Sequence, residues 1–220
     1  LGQTALMLAS LDDQLAVVDS LLARGADVDL QASDGMTALL IALKKNKDDV
    51  ALLLFEKGAN RVPSDLRNKV VQLFSYGLQH GRIDACRAIY ERSDCIDLTA
   101  GGPEFLKECV EKWKAPASVA FLLGLGVPYN ECIKTQQMTA EVIVELCKQG
   151  LGEKAKSVMA EDPHFTVPQK LVAGHGASED ELWWGFDESN EENSTQIIRG
   201  SGHLELIAAW ESALSRKSLS

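Results

Sequence analysis

A period of 33 residues near the start of the chain restricts its fold more than any other feature of the sequence. Residues 2–26 and 35–59 share nine identities in 25 positions. A fixed period of this length is typical of repeat proteins, in which each unit buries its apolar face against its neighbours. We therefore expect stacked units within this chain of 220 residues. The identical pairs are Gly2/Gly35, Thr4/Thr37, Ala5/Ala38, Leu6/Leu39, Ala9/Ala42, Val17/Val50, Leu21/Leu54, Gly25/Gly58 and Ala26/Ala59.

Each 33-residue unit has the pattern of two helices followed by a turn. Thr4 stands ahead of an apolar stripe at helical spacing, where a threonine side-chain oxygen can cap a helix. A second apolar stripe over residues 17–22 predicts the second helix, and Gly25 can adopt the positive φ that ends it. We expect residues 28–30 to be extended and Asp34-Gly35 to form a turn before the next helix.

Several stretches of the sequence resemble the ankyrin repeat family. The family pattern is Gly, any residue, Thr, Pro, Leu, His, followed later by paired Leu residues and Gly-Ala. Ala5 and Ala38 replace the Pro, and Met7 and Leu40 replace the His, so the hydrogen bonds of that His are absent from both units. The resemblance implies an all-α, ankyrin-type helix-turn-helix solenoid with short β-turn fingers and divergent helical repeats in the C-terminal half. The matching stretches are residues 2–7, 21–28, 35–40 and 57–60.

The repeat signal continues in a weaker form after residue 60. The third unit is two residues longer, and residues 93–98 resemble residues 25–30. We predict ankyrin repeat units at about 1–33, 34–62, 63–97 and 98–127, and degenerate helical or ankyrin-like repeats with a C-terminal cap over 128–220. Further helices are predicted over residues 80–90, 105–113, 117–123, 139–148, 153–160 and 202–210, and residues 168–174 are predicted to open a sixth unit.

Charge and cysteine content restrict the partners and the location of the protein. A net charge of −10 and an isoelectric point near 4.9 disfavour nucleic acid and anionic membranes, because phosphate groups are repelled. The longest strongly apolar run, residues 119–127, has about half the length of a membrane-crossing helix, so no membrane insertion is expected. Five widely spaced cysteines without a CxxC motif fit a reducing compartment. We expect a cytoplasmic or nuclear protein, and a fragment of a longer chain because the sequence opens inside a repeat motif.

The sequence contains no signature of a catalytic, cofactor-binding or metal-binding site. The glycines at 174–176 and 200–203 follow no strand and lack the lysine of a phosphate-binding loop, so we interpret them as turn or helix-start glycines. The four histidines are spread over different units without the spacing of metal ligands, and we interpret the cysteines as core residues. We therefore predict that the protein is not an enzyme. The histidines are His80, His164, His175 and His203.

We predict a non-enzymatic module that binds another protein through a concave repeat surface. It would act as an adaptor or scaffold, or as the targeting part of a larger intracellular protein. The resemblance to ankyrin arrays implies that turn tips and first helices meet the partner. An alternative is a regulatory segment, from about residue 97 to 220, that restrains a catalytic domain elsewhere in the full-length protein. The candidate contact residues, which packing does not require, are Gln31, Ser33, Asp34, Met36, Lys44, Lys45 and Asn46.

An acidic segment with adjacent tryptophans is a further candidate contact. Residues 178–193 contain seven acidic residues and no basic one, with Trp183 and Trp184 in the middle. One interpretation is a polar cap whose aromatic residues pack on the last repeat, since terminal repeats need a polar outer face. The other is a contact site for a basic partner, because tryptophans often carry binding energy.

Overall fold

The computed structural model describes residues 2–128, 136–160 and 188–217. The chain forms two compact units, Leu1–Gly101 and Gly102–Ser220. Across the described ranges the backbone forms helices and turns and no strand, which confirms the all-α prediction. The sequence-based boundaries of the individual repeats stay a prediction.

The first unit consists of consecutive helical hairpins. Its α-helices are α1 (Ala5–Leu11), α2 (Leu15–Ala23), α3 (Ala38–Lys45), α4 (Asp48–Glu56), α5 (Arg67–Gln79) and α6 (Ile83–Arg92), with a short 3-10 helix at Ser64–Leu66. Helix α1 packs on α2 and α3, α2 also contacts α4, and α4 contacts α5 and α6. The second hairpin, α3 and α4, therefore lies between two others. Six consecutive residues of α3 and six of α4 are buried as a result.

Threonine caps start both first helices of the repeat, as predicted. The Thr4 Oγ1 atom accepts a hydrogen bond from the Met7 backbone N–H at 3.2 Å. The Thr37 Oγ1 atom accepts one from the Leu40 N–H, also at 3.2 Å, in a buried setting. Each contact satisfies one of the N–H groups that a helix start leaves without a backbone partner. The hydrogen bond also allows the polar side chain of Thr37 to be buried in the apolar core.

Glycines and aspartates shape the connections between hairpins. Gly25 has a φ of +85°, which confirms its predicted role after α2. The expected extended conformation at residues 28–30 is wrong, because Val28 and Asp29 lie in a turn. The Asp27 carboxylate holds this turn by accepting from the Asp29 N–H at 3.0 Å. Aspartate commonly folds the chain back in this way through its own side chain.

The same aspartate turn recurs after α6, two residues later than the sequence comparison suggested. The Asp97 Oδ1 atom accepts from the Thr99 backbone N–H at 2.9 Å and from the Thr99 hydroxyl at 2.6 Å. These hydrogen bonds, with one from the Ala100 N–H, lower the pKa of Asp97. Asp97 therefore occupies the position of Asp27, whereas the sequence similarity had aligned it with Asp29. Helix α6 has ten residues and α2 has nine. The longer helix therefore explains one of the two residues by which the turn is displaced.

The second unit contains six α-helices among its described residues, and one segment of π-helix. They are α7 (Gly102–Lys107), the π-helix (Glu108–Lys112), α8 (Pro116–Gly124), α9 (Gln136–Lys148), α10 (Gly152–Ala160), α11 (Glu188–Gly200) and α12 (Leu204–Lys217). Helix α9 packs against α8, α10 and α11, and α12 packs against α10 and α11. The predicted helices at 105–113, 117–123, 139–148, 153–160 and 202–210 correspond to these elements. The predicted start of a sixth unit at 168–174 lies outside the described residues.

A close approach of backbone and ring joins α10 to α12. A Cβ atom on Gly152 would lie 1.9 Å from the His203 ring, so only glycine leaves room for the histidine at this place. The His203 Nδ1 atom lies 3.2 Å from the Glu153 carboxylate, and Lys156 pairs with Glu205. Trp210 of α12 is fully buried. Helix α12 is thus anchored by both packing and polar contacts.

Replacement of Thr37 by alanine tests the cap of α3. We expect Thr37→Ala to lower the free energy of unfolding by about 1–2 kcal/mol, because the buried Leu40 N–H loses its acceptor. Urea unfolding followed by circular dichroism measures the change. Thr37→Ser keeps the hydroxyl and is expected to keep most of the stability. Equal losses in the two variants would show that the methyl group matters and the hydroxyl does not.

Candidate partner-binding surface

The turn ahead of α3 holds the first four predicted contact residues in a fixed loop. The Ala32 N–H donates to the Met36 carbonyl and the Gly35 N–H donates to the Ala32 carbonyl, both at 2.9 Å. The Asp34 carboxylate accepts from the Met36 N–H at 3.1 Å. Gly35 has a φ of +77°, which side chains with a Cβ rarely adopt. This network leaves three of the residues exposed and Met36 half-buried; the exposed residues are Gln31, Ser33 and Asp34.

The other three predicted contact residues lie at the end of α3. Lys44 and Lys45 form its last turn and Asn46 is its C-cap. Asn46 has φ 55° and ψ 44°, a left-handed conformation that asparagine tolerates better than most residues. All three side chains are exposed. Positive charge at this position is favoured by the partial negative charge of the helix C-terminus.

The structure brings the two groups together. The Lys44 ammonium lies 3.4 Å from the Met36 sulfur, so the turn and the helix end form one continuous surface. We call the seven residues Gln31, Ser33, Asp34, Met36, Lys44, Lys45 and Asn46 the α3 patch. Within the described part of the chain, neither Lys44 nor Lys45 lies within 4.0 Å of a carboxylate. Both ammonium groups are therefore available to an acidic group of another molecule.

Lys69 supports the α3 patch, and the sequence analysis missed it. Its ammonium donates to the Asn46 side-chain oxygen at 2.6 Å and to the Leu43 carbonyl at 3.0 Å. The lysine of α5 thus fixes the end of α3 and satisfies one of its terminal carbonyls. No local pattern could have shown this, because Lys69 lies more than twenty positions after both Leu43 and Asn46 in the sequence.

The two remaining predicted contact residues are Trp183 and Trp184, which lie outside the described residues. Their role in partner binding therefore stays a prediction. Helix α11 begins at Glu188, within the last part of the acidic segment.

The structure describes two of the four histidines, His80 and His203. The His80 ring lies 4.3 Å from the Tyr76 ring, and His203 packs on Gly152 as described above. Among the residues the structure describes, no three His, Cys, Asp or Glu side chains are grouped so that they could hold a metal ion. Gly202, with a φ of +73°, lies in the turn between α11 and α12, which confirms its interpretation as a turn glycine. His164, His175 and residues 174–176 lie outside the described ranges.

The described cysteines are mostly core residues, as predicted. Cys86, Cys109 and Cys147 are buried and Cys95 is half-exposed, and all four are free thiols. Burial, together with the nearby Glu108 carboxylate, raises the pKa of Cys109 to about 12. Burial also raises the pKa of Cys147 to about 11. Thiols with such pKa values are poor nucleophiles, because the thiolate is the reactive form.

No helix in the described parts of the chain has the length and apolar character needed to span a membrane.

Thiol labelling tests the environment of the cysteines. At pH 8 a thiol with a pKa of about 12 is a thiolate in roughly one molecule in ten thousand. We therefore expect maleimide to modify the buried Cys109 much more slowly than the half-exposed Cys95, as measured by peptide mass spectrometry. In urea the two rates should converge. Equal rates in the folded protein would contradict the buried position of Cys109.

Comparison with known proteins relates the first hairpins to a described family. A family model for ankyrin repeats, with three copies, matches residues 1–65, which contain α1 to α4. Among solved structures, the chain is similar to an ankyrin repeat domain from Acinetobacter baumannii AYE. The two share 18% sequence identity with a TM-score of 0.34, over 94% of this chain and 96% of that chain.

Proposed function

We propose that the chain, whose residues 1–65 match a family model for ankyrin repeats, is an ankyrin repeat protein that binds a partner protein through the α3 patch without catalysing a reaction. Ankyrin repeats are in general protein–protein interaction modules. The observation that carries the proposal is the contact between Lys44 and Met36. It joins the turn and the end of α3 into one surface whose side chains are not used for packing.

The α3 patch favours a partner with an acidic contact segment. The chain as a whole carries a net charge of −10, yet this patch presents Lys44 and Lys45 side by side without an ion-pair partner among the described residues. Opposite charges steer association and suppress wrong partners. Asp34 is engaged in its own turn, so its charge is partly used within the protein. The two lysines therefore give the α3 patch the positive charge that a partner meets.

The rigidity of the α3 patch favours selective binding. The turn is held by three hydrogen bonds, and the end of α3 is held by Lys69. A surface that is ordered before binding loses little conformational entropy when the partner docks. The patch can thus discriminate between partners through the placement of a few side chains.

We also propose that the protein works inside the cell as an adaptor, scaffold or targeting part of a longer polypeptide. Four described cysteines are free thiols and three of them are buried, which suits a reducing compartment.

Charge reversal of the two lysines tests the α3 patch. We expect Lys44→Glu with Lys45→Glu to reduce partner capture at least about tenfold, because the acidic contact segment is then repelled. The measurement is affinity purification from the native source with quantitative mass spectrometry, followed by the affinity of the recovered partner for each variant. The thermal midpoint should change by no more than a few degrees, since both side chains are exposed.

The matched control reverses the same number of charges elsewhere. Lys107 and Lys154 belong to the second unit and have no carboxylate partner among the described contacts. Lys107→Glu with Lys154→Glu therefore breaks no described ion pair, and it changes the net charge by the same amount as the double substitution in the α3 patch. This control should retain the partner. If both double variants lose it equally, total charge determines binding and the α3 patch is not the contact. If neither loses it, the proposed surface is wrong.

A further inference from the structure

The end of α3 carries a third ammonium group besides those of Lys44 and Lys45. Lys69 of α5 donates to the Asn46 side-chain oxygen at 2.6 Å and to the Leu43 carbonyl at 3.0 Å. Because an ammonium group has three N–H donors, one donor of Lys69 has no acceptor among the described residues. The other two lysines are exposed, whereas Lys69 is half-buried and its two hydrogen bonds hold its charge in place.

The contact with Lys69 also orients the side chain of Asn46. Since the side-chain oxygen of Asn46 accepts from Lys69, the amide nitrogen with its two N–H donors is the other end of the group. Lys45 precedes Asn46 in the chain, is exposed, and has no ion pair in the described part of the molecule. Two ammonium groups and an amide nitrogen are therefore present at this helix end, and all three groups are donors.

Two of the last carbonyls of α3, which would repel an anion, are already bound to donors. A helix C-terminus carries a partial negative charge, because its last carbonyls have no partner within the helix. Here the Ala42 carbonyl accepts from the Lys47 N–H at 2.9 Å, and the Leu43 carbonyl accepts from Lys69. The end of α3 is therefore suited to an anion in spite of the helix dipole.

The carboxylates near this helix end interact with other groups. Asp13 lies 3.2 Å from the Lys47 ammonium, and Asp49 accepts from the Tyr76 hydroxyl at 3.4 Å. Asp48 belongs to the first turn of α4, where the partial positive charge of the helix N-terminus stabilises it. The positive charge at the end of α3 is therefore left for a group of another molecule.

The donors at the end of α3 are not required by the repeat itself. Asp13 lies 33 residues before Asn46 and has nearly the same left-handed backbone, with a φ of 59° against 55°. Asp12 lies 33 residues before Lys45. The first hairpin thus forms the same helix end with two acidic residues, so the donor set is specific to the second hairpin.

We propose that the end of α3 binds a phosphorylated serine or threonine of the partner protein, with the phosphate held by Lys45, Lys69 and the amide of Asn46. A phosphate monoester offers three strong acceptor oxygens and nearly two negative charges at neutral pH, which matches three donor groups. A carboxylate offers two oxygens and one charge, so it leaves one of the three groups unused. The inference rests on the proposed function, since it names the chemical group that makes the partner acidic.

Short peptides test the preference for phosphate. Three glycine peptides with a central phosphoserine, glutamate or serine are titrated into isotope-labelled protein, and nuclear magnetic resonance follows the Asn46 side-chain amide and the Lys47 backbone amide. We expect the phosphoserine peptide to bind at least about fivefold more tightly than the glutamate peptide, because it makes more charge-assisted hydrogen bonds. The serine peptide should cause no shift. Equal affinity for phosphoserine and glutamate, or no shift with any peptide, would overturn the proposal.

Inorganic phosphate distinguishes a site for a partner from a site for a free anion. It has the same kind of oxygens without a peptide chain, and it is titrated in the same way. We expect the phosphoserine peptide to bind at least as tightly as inorganic phosphate. If inorganic phosphate binds about tenfold more tightly than the peptide, the site belongs to a free anion and the proposal is wrong.

Two variants remove the donors one at a time. Lys69→Met removes the ammonium group and keeps an unbranched side chain, and Asn46→Gly removes the amide and keeps the left-handed backbone, which glycine adopts readily. Each should weaken binding of the phosphoserine peptide at least about threefold, as followed at the Lys47 amide. Lys154→Met in the second unit is the matched control and should bind like the original chain. Unchanged binding by Asn46→Gly and a folded Lys69→Met, or an equal loss in the control, would contradict the proposed site.

Phosphatase treatment of the recovered partner separates this inference from the proposed function. Dephosphorylation should lower the affinity of the partner for the chain at least about tenfold, because the phosphate charge is lost. If charge reversal at Lys44 and Lys45 abolishes capture while phosphatase leaves the affinity unchanged, the partner is acidic through carboxylates. The proposed function then stands and this inference is overturned. Capture that survives the charge reversal contradicts the proposed function and, with it, this inference.

Discussion

The burial of one helical hairpin by its neighbour is the constraint on which the first unit depends. Two short helices of seven to nine residues cannot enclose an apolar core by themselves. In isolation, helices of this length are also unstable in water. Covered on both sides, the second hairpin buries six consecutive residues in each helix, including Leu39 and Phe55. The 33-residue period therefore follows from packing, because each hairpin must lie at the same spacing from its neighbours to be covered by them.

Apolar side chains are buried between hairpins, so the residues of the turns and helix ends are not needed for the core. These residues can therefore contact a partner. The α3 patch consists of such residues, and local hydrogen bonds keep it ordered. Lys69 connects this surface to the packing, since it belongs to α5 and holds the end of α3. Loss of the Lys69 hydrogen bonds would therefore loosen the end of α3 and, with it, the α3 patch.

Features determined by local chemistry were predictable from the sequence, whereas those set by contacts between hairpins were not. The caps at Thr4 and Thr37 and the turn at Gly25 depend on one residue and its neighbours, and all three predictions are confirmed. The aspartate turn at Asp27 was predicted as extended chain at residues 28–30, because the sequence alone does not show the side-chain hydrogen bond from the Asp29 N–H. The π-helix that replaces part of the helix predicted over 105–113 has no sequence signal that distinguishes it from an α-helix.

Polar contacts between hairpins explain how the repeats can diverge and still stack. Asp13 pairs with Lys47, Asp19 with Lys57 and Glu56 with Arg82, at distances of 3.2, 3.3 and 2.9 Å. These side chains are partly exposed, so each pair contributes little stability, on the order of 1 kcal/mol or less. Their effect is on register, because each pair forms only when one hairpin is placed correctly on the next. Apolar burial tolerates exchange among Leu, Ile, Val and Phe, so the sequence can change within the core while these charged pairs keep neighbouring hairpins aligned.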